Sequence, residues 1–118
     1  MYKVYVAKLS RKEKVNGLPN TVYKIGTTQS SDALRPLLND NSTTPITSVF
    51  GGIKILSSVL VESETKAKEI ERRIASDISA REYFHNWNEP TQVNGITKMR
   101  VWNYPEVQRI IKIFEEYR

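Results

Sequence analysis

The chain has 118 residues, of which 39% are hydrophobic and 26% are charged, a composition that fits one globular domain with one core. It has no cysteine and a single histidine, so disulfides, thiol nucleophiles, thiolate metal sites and multi-histidine zinc sites are excluded. The net charge of +5 and the isoelectric point of about 9.5 favour an anionic partner such as nucleic acid. No apolar run is long enough to span a membrane, and the N-terminus is strand-like, so we expect a cytoplasmic protein without membrane contacts.

Two segments near the N-terminus predict an antiparallel hairpin. Residues 2–9 alternate in polarity and place Tyr5 on the face opposite Val4. Residues 21–27 are rich in β-branched side chains, and the strand composition ends near Gly26, where an open backbone would let a ligand approach closely. Turn-forming dipeptides between the two segments predict a long connecting loop that carries several basic residues.

The middle of the chain predicts a short helix, a strand and a second helix. The short helix covers residues 33–39, with Asp32 as its N-cap. Residues 49–61 contain the third strand, and because both of its faces are partly apolar we expect it in the centre of the sheet. Ser63 is suited to cap the second helix. The apolar stripe of that helix is formed by Ala67, Ile70, Ile74 and Ile78.

The C-terminal part predicts less regular structure and then a final helix. Residues 81–84 are aromatic, residues 85–95 are a polar loop, and residues 96–102 have strand composition. Pro105 suits the first turn of the last helix. The apolar face of that helix is formed by Val107, Ile110, Ile111 and Phe114.

This order of elements predicts an α+β fold: a small antiparallel or mixed sheet of three to five strands with about three flanking helices. We expect one domain over residues 1–118. Residues 1–84 form the core that carries the candidate functional residues. Residues 85–118 add a C-terminal hairpin and helix.

Four polar side chains fall on four consecutive predicted elements: Tyr5, Lys24, Arg35 and Glu71. Phosphodiester hydrolysis uses these classes of group: a carboxylate to hold a divalent cation, a guanidinium to hold the phosphate, and a phenol or amine to orient water. No spacing rule shows that the four meet in space, so four ordinary surface side chains are the alternative.

Five short motifs occur in a fixed order along the chain. They are Val4-Tyr5-Val6, Tyr23-Lys24-Ile25-Gly26-Thr27-Thr28, the segment around Arg35, the helix around Glu71, and Arg81-Glu82-Tyr83-Phe84. In this order they resemble the GIY-YIG nuclease superfamily, and most closely its phage-rich branch, in which lysine replaces the second tyrosine to give Lys-Ile-Gly.

The resemblance implies a GIY-YIG-like fold and an enzyme, a divalent-metal-dependent DNA endonuclease that hydrolyses phosphodiester bonds in a bacterial or phage-infected cell. It implies that Glu71 binds Mg²⁺ or Mn²⁺ and that Arg35 holds the scissile phosphate. Tyr5, together with Lys24, would orient or activate the attacking water. Asn86, after the aromatic motif, would help bind the phosphate.

The expected partner is double-stranded DNA, bound through its phosphates by basic side chains. The residues predicted for these contacts, besides Asn86, are Arg11, Lys12, Lys14 and Arg72. For several of them, a solvated helix surface is an equally good explanation.

Two other functions stay open at this point. One is a GIY-YIG-like phage module without catalysis that binds DNA or a host protein, since Lys3 stands where the family often has glycine. The other is an RNA-processing or signalling-nucleotide enzyme on the same scaffold.

Overall fold

The computed structural model describes residues 1–14, 16–17, 20–29, 47, 49–78, 99–100 and 104–118. They form an α+β arrangement, as predicted. The elements in chain order are β1 (Tyr2–Arg11), β2 (Thr21–Thr28), β3 (Phe50–Val61), α1 (Glu64–Asp77), β4 (Met99–Arg100) and α2 (Tyr104–Glu116). The predicted helix over residues 33–39 and the aromatic motif over residues 81–84 lie outside the described residues. The predicted strand over residues 96–102 is described only at β4.

The described strands form a four-stranded antiparallel sheet in the order β3-β1-β2-β4. The predicted hairpin of β1 and β2 is confirmed, with Tyr5 opposite Gly26 and Ala7 opposite Lys24. The central position that we predicted for β3 is wrong, because among the described strands β1 lies inside the sheet and β3 lies at its edge. Apolar residues on both faces of a strand indicate that both sides of the sheet are covered. They do not indicate whether the strand has hydrogen-bonded neighbours on one edge or on both.

A separate apolar cluster covers each face of the sheet. On one face the helices α1 and α2 pack against the alternating residues of β1 that include Val4 and Val6. On the other face Tyr5 belongs to a second cluster with Leu9 and Phe50. Consecutive residues of β1 are therefore buried from both sides, and β1 is more buried than β2 or β3.

The helices begin and pack as their sequences predict. The Ser63 side chain caps α1 by accepting a hydrogen bond from the backbone N–H of Lys66 at 3.2 Å. The two helices are tied by Arg109, which donates to the backbone carbonyl of Asp77 at 2.8 Å, and by the ion pair of Arg73 with Glu116. The predicted apolar stripes are buried, and only Ile111 of α2 is partly exposed. The buried residues are Ala67, Ile70, Ile74 and Ile78 in and after α1, and Val107, Ile110 and Phe114 in α2. In the part of the chain that the structure describes, no helix has the length and apolarity to cross a bilayer.

Candidate functional site

The closest packing at the candidate site is between the Tyr5 ring and the backbone of Gly26. A Cβ atom added to Gly26 would lie only 2.5 Å from Cζ and 2.9 Å from Cε1 of Tyr5, well inside van der Waals contact. Glycine is therefore required at position 26 because the phenol of the cross-strand partner fills the space of a side chain. We predicted that the strand would end here and leave room for a ligand. Instead β2 continues through Gly26 to Thr28, and an aromatic ring of the chain itself lies against the backbone.

Tyr5 is 5% exposed, and its environment favours the protonated phenol. Burial raises the pKa of Tyr5 to about 12, and the negative charge of Glu71 adds to the increase. The charge of Glu71 acts on Tyr5 from α1, which packs against the other face of the sheet. At neutral pH this hydroxyl is therefore a hydrogen-bond donor.

The pKa of Tyr5 predicts a loss of stability at alkaline pH. The unfolded chain releases this proton near pH 10, whereas the folded protein holds it to about pH 12. The stability linked to Tyr5 is therefore complete below pH 10 and is lost as the pH rises through 12. Between pH 9 and pH 11.5, the free energy of unfolding in urea should fall by roughly 2 kcal/mol more in the wild type than in Tyr5→Phe. Equal pH dependence in the two proteins would contradict the raised pKa.

Glu71 lies in a cleft between α1 and the C-terminal end of β2. The cleft has a volume of about 210 Å³, and Glu71 is half-buried in it. Hydroxyl, amide and charged side chains share its wall. The lining residues are Tyr2, Thr27, Thr28, Gln29, Glu64, Ala67, Lys68 and Glu71.

The donors in this cleft suit a hard divalent cation. Mg²⁺ prefers oxygen ligands, and it is commonly held by one or two carboxylates together with water and substrate phosphate. Glu71 supplies such a carboxylate, and Thr27, which shares the helix-side face with Val4, lines the same cleft. Among the residues that the structure describes, no group of three or more acidic or histidine side chains could enclose a metal ion. The carboxylate of Glu71 therefore fits a Mg²⁺ ion whose remaining ligands are water and substrate phosphate.

A second acidic residue, Glu64, lies two helical turns before Glu71 and also lines the cleft. Its carboxylate is 3.4 Å from the Lys68 ammonium, and both side chains are well exposed. Exposed pairs of this kind contribute little to stability and open readily. Lys68 is therefore available to an incoming anion next to Glu71.

Lys24 lies on the same face of the sheet as Tyr5. It pairs with Ala7 of β1, and this pair is the neighbour of the Tyr5–Gly26 pair on that face. On its other side it pairs with Met99 of β4. Its side chain is half-buried. The structure thus places Lys24 beside Tyr5 on one face of the hairpin, whereas Glu71 lines the cleft on the helix side. The remaining two predicted site residues, Arg35 and Asn86, lie outside the described residues.

The predicted DNA contacts differ in how accessible they are. Lys12 and Lys14 follow β1 and are exposed, as is Arg72 on α1, whose Nε donates to the Lys68 carbonyl at 3.4 Å. Arg11 is only 9% exposed, and its guanidinium lies 5.6 Å from the centre of the Phe50 ring. This cation–π contact gives Arg11 a packing role. It is less suited to bind phosphate than its exposed neighbours.

The cleft contains residues that the sequence did not single out. Thr27 and Thr28 belong to the second motif, but the sequence predicted only a position at the end of the strand for them. Lys68 lies one turn before Glu71 and therefore on the same side of α1, a spacing that could have indicated a shared site. No sequence signal placed Tyr2 there.

Comparison with protein-family models, with curated proteins and with solved structures gives no match to this chain.

Proposed function

We propose that this protein is a divalent-metal-dependent DNA endonuclease of GIY-YIG type. The observation that carries the proposal is the cleft at the end of β2, where Glu71 lies beside Thr27 and Lys68 and its charge acts on Tyr5. The resemblance of the sequence motifs supports it independently, because the same two positions carry the acid and the phenol that the family uses.

In this proposal, each residue of the site has a distinct task. Glu71 would hold Mg²⁺ or Mn²⁺, which when bound neutralises charge on a phosphate oxygen. Tyr5, as a protonated phenol, would donate a hydrogen bond and orient the water or the phosphate. Lys24 and Lys68 would add positive charge beside the phosphodiester. Arg35 keeps the role that the resemblance implies, which is to hold the scissile phosphate in a bidentate contact.

Incubation with supercoiled plasmid tests the proposal. In Mg²⁺ or Mn²⁺ the protein should convert the plasmid to nicked or linear forms, and in EDTA it should leave the plasmid intact. A protein that leaves supercoiled DNA and RNA unchanged with either metal over a wide range of enzyme concentration would contradict a nuclease function. Retention of the plasmid without cleavage is not support, because a chain with an isoelectric point of about 9.5 is expected to bind polyanions.

A second candidate is a binding module of the same fold without catalysis, which acts on DNA or on a host protein. The observation that favours it is the burial of the Tyr5 hydroxyl, since a phenol with a pKa of about 12 does not serve as a general base near neutral pH. Under this alternative the plasmid stays uncut in Mg²⁺, and affinity capture from cell extract recovers one defined protein or DNA target.

A further inference from the structure

A pair of lysines faces the same side of the sheet near the N-terminal end of β2, away from the cleft. Lys8 of β1 lies directly opposite Lys54 of β3 and directly opposite Tyr23 of β2. Residues directly opposite each other in antiparallel strands point to the same face. On the other side of β2, Arg100 of β4 lies opposite Tyr23, so it continues the same cross-strand row. We call Lys8 and Lys54 the lysine pair.

The lysine pair belongs to the helix-bearing face of the sheet, but the helices do not cover it. Tyr23, in the same cross-strand row, packs against the helix-side core, and both lysines are exposed. The next row toward the end of the sheet is small and polar, with Ser10 opposite Gly52 and Thr21. The result is an exposed surface on which two lysines occupy directly opposite positions of neighbouring strands.

This arrangement has an electrostatic cost. Like charges directly opposite each other across two strands destabilise the pairing. Within the described part of the chain neither member of the lysine pair has an acidic partner, whereas Lys66 pairs with Glu69 at 3.0 Å and Lys68 pairs with Glu64 at 3.4 Å. The lysines of α1 are therefore compensated within their helix, and those of the lysine pair are not.

The charges that follow β1 extend the positive surface. Lys12 and Lys14 are both exposed beyond the end of the strand, with one exposed acid, Glu13, between them. A polyanion with regularly spaced charges complements such a surface better than an isolated small anion does.

We propose that the lysine pair is a contact site for the phosphate backbone of double-stranded DNA, distinct from the cleft at Glu71. Tyr23 in this row and Thr27 in the cleft are four residues apart on β2, roughly 13 Å at the usual rise of a strand. One duplex can therefore reach both places, and the lysine pair would hold the DNA whether or not it is cut. The inference shares its partner with the proposed function but does not depend on hydrolysis.

The test is equilibrium binding of a fluorescent DNA duplex, measured in EDTA at several salt concentrations. Each phosphate contact adds about 0.9 to the slope of log affinity against log salt. The variant Lys8→Gln/Lys54→Gln should therefore show a slope shallower by about 1.8 than the wild type. Lys66→Gln/Lys112→Gln, which removes the same charge from exposed helix positions, should keep the slope of the wild type.

A thermal melt accompanies the binding measurement and separates loss of contact from loss of fold. Because removing one of two facing charges relieves repulsion, Lys54→Gln should melt at the same temperature as the wild type or higher, and bind DNA less well. Equal slopes for the lysine-pair variant and the helix-lysine variant would overturn the inference, as would a wild type that does not bind duplex in EDTA. Selective loss of binding to anionic lipid vesicles, with unchanged binding to DNA, would also overturn it.

The outcomes keep the two proposals apart. A wild type that binds DNA through the lysine pair and never cuts plasmid in Mg²⁺ contradicts the endonuclease and leaves this inference standing. A wild type that cuts plasmid, with a lysine-pair variant that binds and cuts equally well, contradicts this inference and leaves the endonuclease standing.

Discussion

Glu71→Gln is expected to abolish metal-dependent cleavage of plasmid while the protein stays folded and binds DNA. The substitution keeps the size of the side chain and removes the charge that attracts a divalent cation. Loss of a metal ion that stabilises the transition state by about 4 kcal/mol corresponds to a rate reduction of about 10³-fold. Initial rates of nicking in Mg²⁺, at equal concentrations of protein with equal melting temperatures, provide the measurement.

Glu69→Gln is the matched control for this experiment. Glu69 belongs to the same helix, but it is exposed, lies on another side and pairs with Lys66. This control variant should nick at the rate of the wild type. A Glu71→Gln protein that cuts as fast as Glu69→Gln would show that the acid in the cleft has no part in hydrolysis.

Gly26→Ala is expected to lower both stability and cleavage. The added methyl group would collide with the Tyr5 ring, which is enclosed by the second apolar cluster and has little room to move. Overpacking of this kind costs about 1–3 kcal/mol in the free energy of unfolding. If the phenol orients the water or phosphate as proposed, a displacement of about 1 Å should reduce cleavage by about 10²-fold. Chemical denaturation and the nicking assay measure the two effects in the same preparation.

Gly51→Ala controls for the replacement of glycine in a strand. At this exposed position the new Cβ would lie 3.0 Å from Cγ of Lys12, part of a flexible side chain that can shift. Its free energy of unfolding should stay within about 0.5 kcal/mol of the wild type, with unchanged cleavage. If Gly26→Ala is equally mild, Tyr5 is not fixed against the Gly26 backbone.

Local patterns in the sequence were sufficient to predict most of the described elements. Alternation with a period of two identified β1, and β-branched composition identified β2. The Ser63 cap and the stripe from Ala67 to Ile78 identified α1. These signals are local because the spacing of apolar residues along the chain follows the period of the element, two residues in a strand and 3.6 in a helix. The coarse α+β class follows from their order.

The lateral order of the strands and the burial of the site could not be predicted in the same way. β3 has apolar residues on two faces because it contributes to both clusters, and this pattern was mistaken for a central strand. The contact of Tyr5 with Gly26 depends on the register of the hairpin, which the long loop between the strands does not specify. The place of Glu71 in the cleft depends on how α1 docks on the sheet, and tertiary packing alone decides that.

The raised pKa of Tyr5 refines the role that the resemblance suggests for this residue. Under the proposed function, a phenol that keeps its proton would orient a water molecule or a phosphate oxygen without accepting a proton from it. Part of the increase comes from the charge of Glu71, so a cation bound to that carboxylate would lower the pKa again. The protonation of Tyr5 and the occupancy of the cleft are thus coupled.

The most direct test of the account is whether a divalent cation binds at Glu71, in the cleft that Tyr2 lines and close enough to affect Tyr5. Mn²⁺ broadens the NMR signals of nuclei close to it, so it can be titrated into protein with labelled tyrosine rings, with Tyr5→Phe and Tyr2→Phe used for assignment. We predict that the Tyr5 and Tyr2 signals broaden at lower Mn²⁺ concentrations than that of Tyr117, which lies near the cations Lys66 and Arg73, and that Glu71→Gln removes this selectivity. Uniform broadening of all tyrosines, or identical broadening in Glu71→Gln, would contradict a metal site at this cleft.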